Sequence, residues 1–481
     1  MIEANDTGSS TRNACKLCAP LGACLAFKGI EGAITLLHGS QGCSTYIRRY
    51  MISHFKEPVD IASSNFTESA AVFGGAQSFS TALDNVIRQY RPAMIGIATT
   101  CLSETIGDDV ESFIRQYQPP PGLPAPELVK VSTASYRGTH SEGFMDSLRA
   151  VVEALAQPGT PIGGTPKSAW GCLGGCVRSG HPKADLGVPQ EPPGGHINLL
   201  PGMVSPADLR YLKELLADFA LPATLLSDYS DTLDGGAWSE YQLIPPGGTR
   251  LEDLRRMGSA LATVEFSSTF EPARTAGAHL EHYCQVPLHR MGLPMGVSRT
   301  DDFMALLARL SGRAVPAKHV EERQRLIDSL ADAHKYVMEK RAVIYGEEDL
   351  VVGLAAMLSE TGIVPVLCAS GGRSGRMRGA LQALAPQLAD ATVMEGADFA
   401  DIEQAAGDLK VDLVVGNSKG YAMARRLDRP LVRVGFPIHD RLGAARLLHL
   451  GYRGAQQLLD RAANALIEAK QASSPVGYSY M

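Results

Sequence analysis

The chain has 481 residues, enough at roughly 150 residues per domain for about three domains and a sizeable core. Its 45 Lys+Arg against 51 Asp+Glu leave a net charge of -6, and charged residues make up only 20% of the total. That balance excludes a polybasic nucleic-acid binder and a chain dominated by an acidic tail. Low aromatic content (6%) with 49 Gly and 29 Pro points to many short loops between small helices and parallel strands, an α/β class.

Taken along the chain, the first segment MIEANDTGSSTRNACK has no cationic stretch followed by an apolar run, so no secretory signal is predicted. No run approaches 18 apolar residues, so no membrane span is predicted, and the expectation is a cytoplasmic protein. A first strand-and-helix unit occupies 1–157. It has apolar runs at 34–38 (ITLLH), 94–99 (MIGIAT) and 128–131, and a helical pattern at 80–90 (STALDNVIRQY). Residues 158–195, rich in Gly and Pro, read as an inserted loop carrying Cys172, Cys176 and His181. Their C-x3-C-x4-H spacing lacks a fourth ligand and matches no standard zinc pattern. A second unit, 196–340, opens with the strand 197–200 and the helix signal SPADLRYLKELLADF, with Ser205 at the N-cap and Pro206 at the first helical position. Short strands follow at 223–226, 262–266 and near Val286, and 300–340 reads as one long helical stretch. A third unit, 341–481, repeats the pattern with strands at 341–345, 364–368, 413–416 and 431–435 and a closing helix at 454–472. Repeated right-handed βαβ units predict three Rossmann-like parallel-sheet domains.

The nine cysteines are the second feature to explain. Clustered cysteines in a reducing compartment point to metal binding or redox chemistry rather than disulfides. Cys18, Cys43 and Cys101 lie in turn-like contexts, CAPLGA, HGSQGC and TTCLSETIGDD. Two of them directly follow a predicted strand, so their thiols should converge at the carboxyl edge of one sheet, where open α/β sheets place ligands. Soft thiolates with few nearby histidines favour iron-sulfur over zinc, and three ligands where a cluster takes four suggest one completed by a second subunit. Cys15 and Cys24 form with Cys18 a C-x2-C-x5-C run that lacks the fourth cysteine of a ferredoxin motif, and both read as structural, as does Cys368.

These motifs, together with HGSQGCSTYIRRY, SHFKEPVDIASSNFTESAAVFGG, TASYRG, GFPIHDRLG and LGYRGAQQLL, are similar in order and spacing to the β-type subunit of the nitrogenase component 1 superfamily. The resemblance covers nearly the whole chain. It implies three domains enclosing a metallocluster at the interface with a homologous α-subunit. The implied cluster is an 8Fe-7S P-cluster, held here by Cys18, Cys43 and Cys101 and by three thiolates of the partner. It implies that Ser135 can bind the oxidised cluster, that Tyr46 packs beside it, and that Gly42 lets the backbone approach the sulfides. It further implies an α2β2 heterotetramer, a transient 4Fe-4S iron protein that hydrolyses ATP and feeds electrons in, and an active-site iron-sulfur cofactor on the α-type chain. The chain has no G-x-x-x-x-G-K-S/T loop of its own. Nucleic acid and membrane are not expected partners.

Two functions fit this resemblance. One is a reductase β-subunit, a nitrogenase or a nitrogenase-like enzyme such as methylthio-alkane reductase, which cleaves carbon-sulfur bonds. The other is the β-like subunit of the cofactor assembly scaffold, which carries a 4Fe-4S cluster and turns over no substrate; dark-operative protochlorophyllide reductase is a third. Retention of all three cysteines and the serine fits a full P-cluster. IASSNFTESAAVFGG, NSKGYAMARRL and SPVGYSYM resemble scaffold subunits as much as any nitrogenase. That mixture, with an N-terminus shorter than in the molybdenum enzyme's β-subunit, leads to the methylthio-alkane reductase type as the expectation.

Overall fold

The structure, a computed structural model, describes residues 13–158, 195–237, 239–384 and 388–476. Three sheets form, each wholly parallel, as the repeated strand-helix pattern requires. The first contains β1 (Ala33–His38), β2 (Ile61–Ser63), β3 (Met94–Thr99) and β4 (Glu127–Val131) in the order β2-β1-β3-β4. The second contains β5 (Ile197–Leu200), β6 (Ala223–Leu225), β7 (Thr263–Phe266) and β8 (Leu288–Met291) in the order β6-β5-β7-β8. The third contains β9 (Arg341–Tyr345), β10 (Val364–Ala369), β11 (Thr392–Met394), β12 (Leu413–Gly416) and β13 (Leu431–Arg433) in the order β11-β10-β9-β12-β13. The central strands are apolar and buried along their whole length, because helices cover both faces of a parallel sheet.

Several expected elements shift. The strand expected near Val286 forms two residues later, with Val286 itself buried ahead of it. The single helix expected over 300–340 is two, Ser298–Ser311 and Ala317–Val337. Gly312 ends the first in a left-handed conformation, φ 67°, and Pro316 caps the second, so the apolar periodicity runs through a break that Gly and Pro impose. The edge strands β2 and β11, three residues each, carry too little apolar pattern to be read from sequence. The helix Pro206–Asp218 begins as expected: Ser205 Oγ accepts the Asp208 N–H at 2.9 Å, and Pro206 needs no donor there. Cys172, Cys176 and His181 lie outside the described residues.

The three sheets share one hydrophobic core running from Leu21 through Phe144, Leu212 and Phe303 to Leu459. Between the sheets lies a cavity of about 270 Å3 lined by Phe144, Phe266, Glu348 and Asp349 among others. Burial pushes the Glu348 carboxyl up to about 7. Among the described residues no helix is long and apolar enough to cross a membrane.

The helix Ala19–Lys28 is buried on every side, as its nearly uncharged sequence APLGACLAFK dictates. It packs against the helix His140–Leu155 at glycine-to-backbone distance. A Cβ on Gly22 would lie 1.7 Å from the His140 carbonyl oxygen, and one on Gly143 would lie 2.0 Å from that of Ala19. Gly143→Ala should therefore lower stability by about 1–3 kcal/mol, the usual cost of overpacking, read as an earlier midpoint in chemical denaturation.

Candidate functional site

The site is built at the carboxyl edge of the first sheet. β1 and β3 pair in parallel with His38 opposite Thr99, so both strands end at the same level and both chains turn there into helices. Cys43 is the third residue of the helix Gln41–Phe55 that follows β1, and Cys101 is the first of the helix Cys101–Ile106 that follows β3. Cys18 is the N-cap residue of Ala19–Lys28. All three predicted ligands thus stand where a helix begins, beside unsatisfied backbone N–H groups that favour negative charge on sulfur.

One carbonyl ties two of these turns together. The His38 oxygen accepts the Thr100 N–H at 3.1 Å, the Thr100 hydroxyl at 3.2 Å and the Ser103 hydroxyl at 2.8 Å. The His38 ring is itself fixed, with Nδ1 3.0 Å from Ser64 Oγ and Nε2 2.9 Å from Asp108 Oδ2, and Asp108 also accepts the Gly75 N–H at 3.1 Å. Burial pulls the His38 imidazole below its ordinary value, against the opposing pull of Asp108. Cys18 is held from the other side: the Leu17 N–H donates to His140 Nδ1 at 3.2 Å, and the His140 N–H donates to the Leu17 oxygen at 3.1 Å.

The sulfurs lie within electrostatic reach of one another. Burial pushes the Cys43 thiol up, the charges of Cys101 and Cys18 add to the shift, and the Ser40 hydroxyl, 3.9 Å from the sulfur, opposes it. A thiol raised in this way is retained as a thiolate when a cationic centre offsets the repulsion. Among the described residues no three His, Cys, Asp or Glu side chains could hold a single metal ion together. The donor set fits a group larger than one ion, spanning several sulfurs.

The remaining predicted residues fall around the same edge. The Ser135 N–H donates to Cys101 Sγ at 3.3 Å, which places this serine against one of the three sulfurs. Tyr46 follows Cys43 by one helical turn, on the same face, and is 65% exposed. Gly42 has no packing reason in this chain to be glycine, since a Cβ there would meet only Ser40 Oγ at 3.8 Å. Leu102, Tyr136, Val72 and Phe73 are also exposed, Phe73 to 88%, and the helix Glu68–Phe73 packs beside Cys101–Ile106. Apolar residues bare around partly buried thiols mark a surface that another chain covers.

Cys15, Cys24 and Cys368 are buried, and burial raises each thiol, Cys15 and Cys368 to about 12, in line with structural roles. Sequence reasoning missed His38, Asp108, His140 and Lys419, whose contacts join residues dozens to hundreds of positions apart and leave no local signal. Iodoacetamide applied to the metal-free chain should alkylate Cys18 and Cys101 first, Cys43 more slowly, and Cys15, Cys24 and Cys368 least, as peptide mapping by mass spectrometry would record.

The family model described as "Nitrogenase component 1 type Oxidoreductase" matches residues 18–467. The nitrogenase molybdenum-iron protein beta chain of Clostridium pasteurianum is 35% identical over 464 residues, covering 95% of this chain and 93% of its own. That of Methanothermobacter marburgensis is 32% identical over 468 residues, with 94% and 93% covered. A chain of the solved structure "Nitrogenase Cp1 at pH 6.5" superposes with a TM-score of 0.87 at 31% identity, covering 100% of this chain and 98% of that one. A chain of "Nitrogenase Cp1 at pH 5" shares the fold alone, with a TM-score of 0.68 at 16% identity over 98% of this chain and 92% of that one.

Proposed function

The chain belongs to the nitrogenase component 1 type oxidoreductase family, as a β-type member, and from that premise we propose that it is the electron-relaying subunit of a nitrogenase-like reductase. The observation that carries this reading is the convergence of Cys18, Cys43 and Cys101 on an open apolar face that a single chain leaves incomplete. These three residues would hold a P-cluster-type 8Fe-7S cluster together with thiolates of a homologous α-type subunit, in an α2β2 assembly. When bound, that group accepts single electrons from an ATP-hydrolysing iron protein for delivery to the cofactor on the α-type chain.

The chain's own residues supply position and environment. The His38 carbonyl sets the spacing of the Cys43 and Cys101 turns, and the Ser135 N–H donates to a ligand sulfur, which tunes potential as such bonds do elsewhere. Tyr46, Leu102, Tyr136 and Phe73, once covered by the partner, exclude water and lower the local dielectric.

For the reaction served, we infer reductive carbon-sulfur cleavage of a methylthio-alkane. The mixture of family signatures in IASSNFTESAAVFGG and NSKGYAMARRL supports this reading. So does an identity of only about a third to the molybdenum-iron beta chains across nearly their whole length, which keeps the relay while leaving room for another substrate. The assay is anaerobic co-purification with the homologous α-type subunit, iron counting, EPR, and turnover with iron protein and ATP. The expected result is the iron of an 8Fe-7S cluster per αβ pair, beyond that of the α-type chain's cofactor, and release of methanethiol from a methylthio-alkane. Reduction of dinitrogen without carbon-sulfur cleavage overturns the substrate; half that iron and no turnover indicates the scaffold function instead.

Cys43→Ala should leave the chain folded and paired, remove most of the cluster iron and abolish electron delivery. Full iron and full activity in that variant would reject the ligand assignment.

A further inference from the structure

The segment that delivers Cys18 belongs to the first sheet's domain in sequence but is fastened by the third. The Cys15 N–H donates to the Ala397 oxygen at 3.0 Å, the Gly371 N–H to the Cys15 oxygen at 3.1 Å, and the Phe399 N–H to the Asn13 oxygen at 3.1 Å. The Asn13 N–H donates to Asp398 Oδ2 at 2.7 Å. Into this arm reaches one cation. Lys419 Nζ donates to the Ala14 oxygen at 2.5 Å and to the Lys16 oxygen at 2.9 Å, with its ammonium 5.7 Å from the Phe399 ring centroid.

The turn that presents Lys419 is rigid. It is the single 3-10 turn Ser418–Gly420 after β12, where Asn417 Oδ1 accepts the Lys419 N–H at 3.1 Å and Asn417 Nδ2 donates to the Phe436 oxygen at 3.1 Å. The Tyr345 hydroxyl donates to the Asn417 oxygen at 2.5 Å. Burial pulls the ammonium down from its ordinary value, and Cys15, Glu347, Cys18 and Asp398 act on it in the opposite direction. Of these, Cys15 is itself pushed up to about 12 and stays neutral near neutral pH. The negative charges that Lys419 faces are therefore Glu347, Asp398 and, once it serves as a ligand, the sulfur of Cys18.

We propose that Lys419 is a positioning residue for the cluster, clamping the backbone two and four residues ahead of Cys18 and setting a half-buried positive charge beside that ligand. The proposal rests on the reading of Cys18 as a ligand. A reduced cluster carries one more negative charge than an oxidised one, so a fixed neighbouring cation favours reduction, and its effect is strong where water is excluded. The third sheet thereby sets the potential of a group whose ligands in this chain all come from the first. Because the bonds of Asn13 and Cys15 to Asp398, Phe399, Ala397 and Gly371 do not involve Lys419, the arm should survive removal of its charge and the cluster should still assemble.

The test uses the αβ holoenzyme with Lys419→Gln, Lys419→Arg and Cys18→Ala. Iron content and an EPR-monitored redox titration serve as readouts, independent of turnover. Lys419→Gln should keep its iron and shift to more negative potential, with the reduced-to-oxidised ratio at a fixed solution potential falling roughly tenfold, about 59 mV for one electron. Lys419→Arg, which keeps the charge, should return close to the parent. An unshifted potential in Lys419→Gln, or equal loss of iron in both variants, overturns the proposal. Cys18→Ala separates the two readings: unchanged iron there defeats the ligand assignment itself, whereas loss of iron there with an unshifted Lys419→Gln defeats only the role of Lys419.

Discussion

A single carbonyl oxygen, that of His38 at the end of β1, accepts three hydrogen bonds from the turn that begins Cys101–Ile106. Through it the Cys43 turn and the Cys101 turn become one rigid unit, and their separation is a property of the β1–β3 pairing rather than of two loops. A parallel pair brings both strand ends to one edge, so two cysteines from distant sequence positions reach the same surface. The buried ring of His38, held between Ser64 and Asp108, keeps that carbonyl aimed, and Asp108 extends the same network to Gly75 beside the exposed Val72 and Phe73.

The third ligand is carried differently. Cys18 is placed by a helix packed so closely on another that glycine is needed at both contact points, Gly22 and Gly143. It is placed also by an arm bonded to the far end of the molecule through Ala397, Gly371 and Lys419. The position of Cys18 therefore depends on the third sheet as well as on the first. The core that the three sheets share is the physical counterpart of that dependence, while the first and third sheets each bury a second apolar face in a cluster of their own.

The Cys43 thiol is poorly suited to ionise alone, raised by burial and by its neighbours. Such an arrangement is costly in an empty chain and becomes favourable when a cationic centre and a second subunit close over it. The bare side chains of Tyr46, Leu102, Tyr136 and Phe73 tell the same story from the apolar side. The site is half of a site.

Much of the architecture was readable from the sequence, because strand and helix signals are local. Alternating apolar runs and caps such as Ser205 depend on residues within a few positions of one another, so fold class, three sheets and most elements followed directly. Cys18, Cys43 and Cys101 stood out through their motifs, and two of them through their place after predicted strands. What the sequence could not show was decided by a break within an apolar period and by contacts between residues tens to hundreds of positions apart. The break at Gly312 to Pro316 prevailed over a continuous apolar period, and the edge strands β2 and β11 formed only because a neighbour offered a ladder. His38, His140 and Lys419 gained their roles from partners that only the folded chain brings near. The sequence by itself determined which residues can bind a cluster, since that is chemistry carried by side chains. Tertiary structure alone decided what aims and charges them, because hydrogen bonds and fields act through space and not along the chain.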